Sequence, residues 1–301
     1  IDAKAASDRS GLSVSMNSTG DRVAIGAYTN DGTASNAGHV RIYEYSSGSW
    51  SQLGSDIDGE AATDYSGYSV SMNSAGDRVA IAAIYNDGTA SNAGHVRVYE
   101  YSSGSWSQLG SDIDGEAADD NSGHSVSMNS SGDRVAIGAY TNDGTASNAG
   151  HVRIYEYSSG SWSQLGSDID GEAATDYSGY SVSMNSSGDR VAIGAINNDG
   201  TATDAGHVRV YEYSSGSWSQ LGADIDGEAA TDYSGYSVSM NSTGDRVAIG
   251  AYGNYGYAGH VRVYEYSSGS WSQIQNDIDG EAENDYSGLS VSMNSSGIGS
   301  R

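Results

Sequence analysis

Apolar residues along this chain recur at every second position, in short runs. In the stretch that starts at Tyr68, Val70 and Met72 alternate with Ser69 and Ser71. Val79 and Ile81 then alternate with Ala80 and Ala82, and Val96 and Val98 with Arg97, Tyr99 and Tyr101. Trp106, Leu109 and Ile113 mark a fourth run. A period of two puts successive side chains on opposite faces of a strand, so each run predicts a short β-strand. The Gly- and Asn-rich segments "NSAGD", "NDGTASNAG" and "SSGS" separate the runs and read as turns and loops. No segment offers an apolar face of useful length at helical spacing.

The four-strand pattern is itself repeated. Met16, Met72, Met128, Met184 and Met240 lie 56 residues apart, and Met293 follows after 53. Trp50, Trp106, Trp162, Trp218 and Trp271 keep the same clock, as do His39, His95, His151, His207 and His260. A unit of this length with four strands predicts an all-β fold, a β-propeller of four-stranded antiparallel blades. The repeats run about 12–67, 68–123, 124–179, 180–235 and 236–288, in one propeller domain over 1–301. A partial sixth repeat, 289–301, supplies one extra terminal strand. Isolated blades cannot bury both faces, so the bulky face of one should nest on the small-residue face of the next. Strands alternate in direction. The long second-to-third loop and the link between repeats should therefore share one face, with Asp58, Asp114, Asp170, Asp226 and Asp279 beside Asp31, Asp87, Asp143 and Asp199.

Charge narrows the partners. The chain has 39 acidic and 13 basic residues, a net charge of −26, and a single lysine, Lys4. Such a surface repels nucleic acid and anionic lipid and attracts cations. No 18-residue apolar run is present, so no membrane insertion is expected. Without cysteine there is neither a disulfide framework nor a thiolate metal site. The chain opens on Ile1 rather than methionine, as expected of a processed or excised chain.

The acid is concentrated in "DIDGEAATDYSG" and its copies. Asp56, Asp58, Glu60 and Asp64 fall at alternating positions around Gly59, and the set returns as Asp112, Asp114, Glu116 and Asp120. It returns again as Asp168, Asp170, Glu172 and Asp176, and as Asp224, Asp226, Glu228 and Asp232. Alternating carboxylates around a glycine bend are candidate ligands for calcium, which takes 6–8 oxygens. The competing reading is that these aspartates cap backbone N–H groups in Asx-type turns. The repeated histidines read as hydrogen-bonded residues at strand entry, and Asp21–Arg22 and its copies as a turn with a structural ion pair. Tyr43, Tyr45 and Trp50 can form either a sugar-stacking platform or packing between blades.

The unit "GYSVSMNSAGDRVAIAA…GHVRVYEY" resembles the FG-GAP repeat of integrin-type propellers, and the resemblance covers all five repeats. "SGYSV", "RVAIGAY" and "GHVRVYEY" stand at that family's motif positions. Two features depart from it. Tyr28, Ile84, Tyr140, Ile196 and Tyr252 replace the family's proline, and the tight turn Asn17–Asp21 stands where the family has its Asp-x-Asp-x-Asp-Gly calcium loop. The family's calcium site therefore does not carry over. No catalytic constellation stands out, because nearly every candidate recurs in equivalent places. The expectation is a non-enzymatic, secreted or cell-surface binding and adhesion module, whose ring of acidic loops takes a glycan or protein ligand with Ca²⁺ as the cation. The alternative is a structural component that forms homo-oligomers or filaments by exchange of the terminal strand.

Overall fold

The computed structural model describes residues 1–297. Residues 298–301, the end of the expected sixth repeat, lie outside the described residues. Each of the five repeats folds into one antiparallel sheet with four principal strands. In the second repeat these are Ser66–Met72, Arg78–Ala83, His95–Ser102 and Ser105–Gln108. They lie side by side in chain order, with Val70 opposite Ile81, Ala83 opposite His95 and Tyr101 opposite Trp106. The fourth run is not the single strand its pattern suggested. The chain turns out after Gln108 at Gly110, whose φ is +79°. It rejoins the third strand as the two-residue strand Ile113–Asp114, opposite Val96 and His95. The shortened loop of the fifth repeat, Asn254–Tyr257, makes a turn in which Tyr255 and Gly256 have positive φ, at 46° and 68°.

The chain divides into two compact units, Ile1–Ala139 with Tyr155–Gln164, and Tyr140–Ile154 with Leu165–Arg301. In the first unit, Ala24, Val40, Ile42 and Ile57 of the first repeat pack against Val70, Met72, Val79 and Ile81 of the second. In the second unit, Ala192, Val208, Val210 and Ile225 meet Met240, Val247 and Ile249 in the same way. The serines that alternate with the apolar residues have a job of their own. Ser71 Oγ accepts the backbone N–H of Met128, and Ser183 Oγ that of Met240, at 2.9 Å in both cases. Each bond satisfies a buried donor that strand pairing within one repeat would leave open. Trp106 Nε1 likewise donates to the Leu53 carbonyl of the preceding repeat, and Trp218 Nε1 to that of Leu165. The tryptophans thus join repeats.

Arg22 pairs with Glu44 of the third strand at 2.7 Å, not with its neighbour Asp21. Strand register explains the choice, since Arg22 stands directly opposite Glu44. Asp21 instead accepts from Asn17 and Thr19 within the turn.

The two long segments of a repeat do meet on one face. Thr33 Oγ1 donates to the Gly59 carbonyl at 2.7 Å, and Thr89 and Thr201 repeat the bond to Gly115 and Gly227. Beyond the fifth repeat, Met293 N–H donates to Ser239 Oγ at 2.9 Å, as a first strand does. The segment from Leu289 to Asn294 nevertheless forms no ladder. A first strand pairs with the second strand of its own repeat, and no such strand follows it among the described residues. No helix of the described residues is long and apolar enough to cross a membrane.

Candidate functional site

Each third strand begins with a histidine whose backbone pairs with an aspartate of the two-residue strand: His39 with Asp58, His207 with Asp226. That pairing seals the imidazole inside, and His39, His95, His151, His207 and His260 are all at most 1% exposed. The aspartate two positions earlier approaches the ring. Nδ1 lies 3.8 Å from Asp56 in His39, and 3.7 Å from Asp112, Asp224 and Asp277 in His95, His207 and His260. The distance is 3.9 Å between His151 and Asp168. Burial pushes His95 and His207 down to about 4, with Arg97 and Arg209 adding to the shift and Asp112 and Asp224 opposing it. The imidazoles are therefore neutral at pH 7.

The structure divides the acidic set that the spacing grouped together. Asp56, Asp112 and Asp224 face the histidines and accept from Gln52, Gln108 and Gln220. Asp58, Asp170 and Asp226 give their backbone carbonyls to Arg97, Arg209 and Arg262 of the following repeat, at 2.7–2.9 Å. Asp114 occupies the matching position in the short strand at Ile113–Asp114. Glu60, Glu172 and Glu228 leave their own repeat and pair with those same arginines at 3.3–3.5 Å. Glu116 is exposed. Asp64, Asp120, Asp176 and Asp232 are buried and do not join the others. They accept the backbone N–H groups of Ala61, Ala117, Ala173 and Ala229. The division follows the chain path, which leaves the short strand after Asp58 and bends at Glu60 and Ala61.

A groove of about 250 Å³ opens in the second unit between Ser167, Asp168, Ile169, Asp170, Tyr211, Ser217 and Trp218. Burial, and then the charge of Asp168, hold the Asp170 carboxyl above the usual carboxylate range, against the pull of Arg209. Burial also raises Tyr211, so its phenol stays neutral. A raised carboxyl with a second carboxylate next to it, beside aromatic side chains, suits a small, oxygen-rich ligand.

Spacing named Asp168 and Asp170, but it read the histidines as strand-entry residues and did not bring them or the wall of Tyr211 and Trp218 to these aspartates. Each histidine precedes its aspartate by a constant 17 residues, and that constancy was the available signal.

No family model matches the chain, and no curated protein does. Solved structures do. One is a protein from Bacteroides uniformis described as a candidate 6-phosphogluconolactonase, with a TM-score of 0.62 and 11% identity over 89% of this chain and 71% of that one. Another is the periplasmic gluconolactonase of Pseudomonas aeruginosa, at 0.58 and 14%, over 90% of this chain and 72% of that one. The hydrazine synthase of Kuenenia stuttgartiensis also matches, at 0.58 and 12%, over 95% and 78%. The fold is a β-propeller. At 11–14% identity the likeness shows that fold and no more. It does correct one expectation. The non-enzymatic adhesion module expected from the sequence finds no support in these neighbours, which carry the names of enzymes. The repetition that hid any single site in the sequence is a property of the scaffold, and it does not count against catalysis.

Proposed function

We propose that the chain is a hydrolase of small, neutral sugar-type lactones that works in the groove of Asp168, Asp170, Tyr211, Ser217 and Trp218. The observation that carries this reading is the carboxyl pair in one groove, Asp170 raised and Asp168 beside it, set against an aromatic wall. Asp168 takes a proton from water as the water oxygen attacks the lactone carbonyl carbon. Asp170, whose carboxyl is held above the usual carboxylate range, gives a proton to the ring oxygen as the C–O bond breaks. The product is a hydroxy acid. General acid–base catalysis of this kind contributes roughly 10²–10⁴-fold. Tyr211 and Trp218 supply the apolar faces on which a sugar ring stacks.

The net charge of −26 favours an uncharged substrate over a phosphorylated one and speeds release of the anionic product. An exported location fits the periplasmic neighbour. Kinship with FG-GAP repeats belongs to the same proposal and rests on the repeat motifs.

The test is ring opening of glucono-δ-lactone followed by pH-stat. Asp168→Asn and Asp170→Asn should each lower kcat by ~100-fold or more with the circular dichroism spectrum unchanged. Trp218→Ala should chiefly raise KM. Activity should fall as pH rises through the elevated Asp170 titration, and this limb should vanish in Asp170→Asn. Turnover no faster than the spontaneous reaction, or unchanged in both asparagine variants, would remove the proposal.

A further inference from the structure

We infer that the clusters Glu172–His207–Asp224 and Glu228–His260–Asp277 each bind a zinc-class divalent cation that ties one repeat to the next. The inference goes beyond lactone hydrolysis and does not depend on it. In each cluster one ligand atom from every side chain lies within 4.8 Å of the others. The glutamate comes from one repeat, and the histidine and aspartate from the following one.

A group of carboxylates alone would say little. The histidines say more. His207 and His260 are 1% and 0% exposed, and Nδ1 of each has no hydrogen-bond partner. Each of these nitrogens faces an aspartate oxygen 3.7 Å away, too far for a hydrogen bond. A buried ring nitrogen without a partner costs free energy. A cation between the nitrogen and the carboxylate satisfies both.

The first repeat shows what belongs at this place. Among the described residues its cluster is His39, Asp56 and Asp58, without a glutamate. Lys4 arrives instead, with Nζ 3.1 Å from Asp56 Oδ2, in the cluster of His39, Asp56 and Asp58. The chain's single lysine thus brings a positive charge directly onto the aspartate that faces the histidine.

The donor set selects the ion. Calcium and magnesium take oxygen ligands, whereas one imidazole nitrogen with two carboxylates suits zinc and its first-row neighbours. Three protein ligands leave a fourth position for water. Arg209 and Arg262 compete for the glutamates at 3.3 and 3.5 Å. Those glutamates are nearly half exposed, so they can turn to share the ion, and the competition keeps affinity moderate.

The experiment strips the full chain with chelator, adds ZnCl₂ alone, and reads bound zinc per chain and the melting temperature. Zinc should bind and raise Tm, and CaCl₂ at equal concentration should do neither. Glu172→Gln with Asp224→Asn should lose one zinc per chain. Lys4→Ala should gain one, because it vacates the His39 cluster. Lys4 is exposed, so that variant decides the matter even if the double variant fails to fold. No retained zinc, a full complement in the double variant, or no gain in Lys4→Ala would each overturn the inference. None of these readouts involves turnover, so the lactone reading stands or falls separately.

Discussion

Gly59 shows how little room a residue can have in this fold. A Cβ built there would lie 2.0 Å from the Ala37 carbonyl oxygen, which is backbone and cannot move aside. The same approach recurs at Gly115, Gly171 and Gly227. Gly59→Ala should therefore destabilise the chain by about 2–3 kcal/mol, read as a lower urea midpoint. The tight turns are controlled by hydrogen bonds instead. Bonds from Thr19 and Asn17 hold Asp21 below the usual carboxylate range, and Thr243 and Asn241 do the same for Asp245. At Asp133 and Asp189 burial pulls upward, and the bonds from Ser131 with Asn129 and from Ser187 with Asn185 outweigh it. A folded pKa below the unfolded one gives stability that is present above about pH 3.9 and is lost as pH falls through the folded values. Denaturation midpoints should therefore drop steeply below about pH 4, the unfolded carboxylate range. Replacing Asp133 and Asp189 by Asn should flatten that drop. An unchanged pH profile would show that the turns contribute no linkage.

Among the elements, the fourth strand depends most on its neighbours. It is four residues long, Ser105–Gln108, and mostly exposed. Its tryptophan anchors it by burying the ring against the preceding repeat and donating Nε1–H to Leu53 at 2.8 Å. Trp106→Ala should cost roughly 3–5 kcal/mol, measured by chemical denaturation. Trp50 has the same sequence context but is 37% exposed and packs on the Tyr45 ring of its own hairpin. Trp50→Ala should cost well under half as much. Equal costs would mean that the tryptophans act within their own hairpins and not between repeats. Ser71→Ala tests the inner strands: it leaves the Met128 N–H without its acceptor and should cost about 1–3 kcal/mol.

For the whole molecule, the dominant quantity is the charge of −26. Self-repulsion at this level opposes compaction, and salt relieves it as the Debye length falls from ~30 Å at 0.01 M to ~3 Å at 1 M. Tm should rise with NaCl over that range. A flat or falling Tm would show that the local ion pairs, such as Arg22 with Glu44 at 2.7 Å, outweigh the net repulsion. The lactone reading also depends on this scale, since a neutral substrate enters such a field freely and an acidic product leaves it.

The period of two, the 56-residue interval and the turn chemistry around Gly20 and Gly76 determined the strands, the repeat and the fold class without any coordinates. These are local properties, decided by which side chains alternate and which backbone angles a turn allows. The sharing of one face by the long loops followed as well, from strand direction alone. The site was only half legible. Asp168 and Asp170 were visible as a spacing, whereas Tyr211 and Trp218 join them only where consecutive repeats pack. Spacing also placed Asp56, Asp58, Glu60 and Asp64 together. Tertiary structure parted them, burying Asp64 under backbone donors and sending Glu60 to Arg97 of the next repeat. The reason is geometric. A one-dimensional pattern orders residues within a repeat, but the partners of a side chain at its edge belong to the neighbour, and their distance is decided only when the two pack.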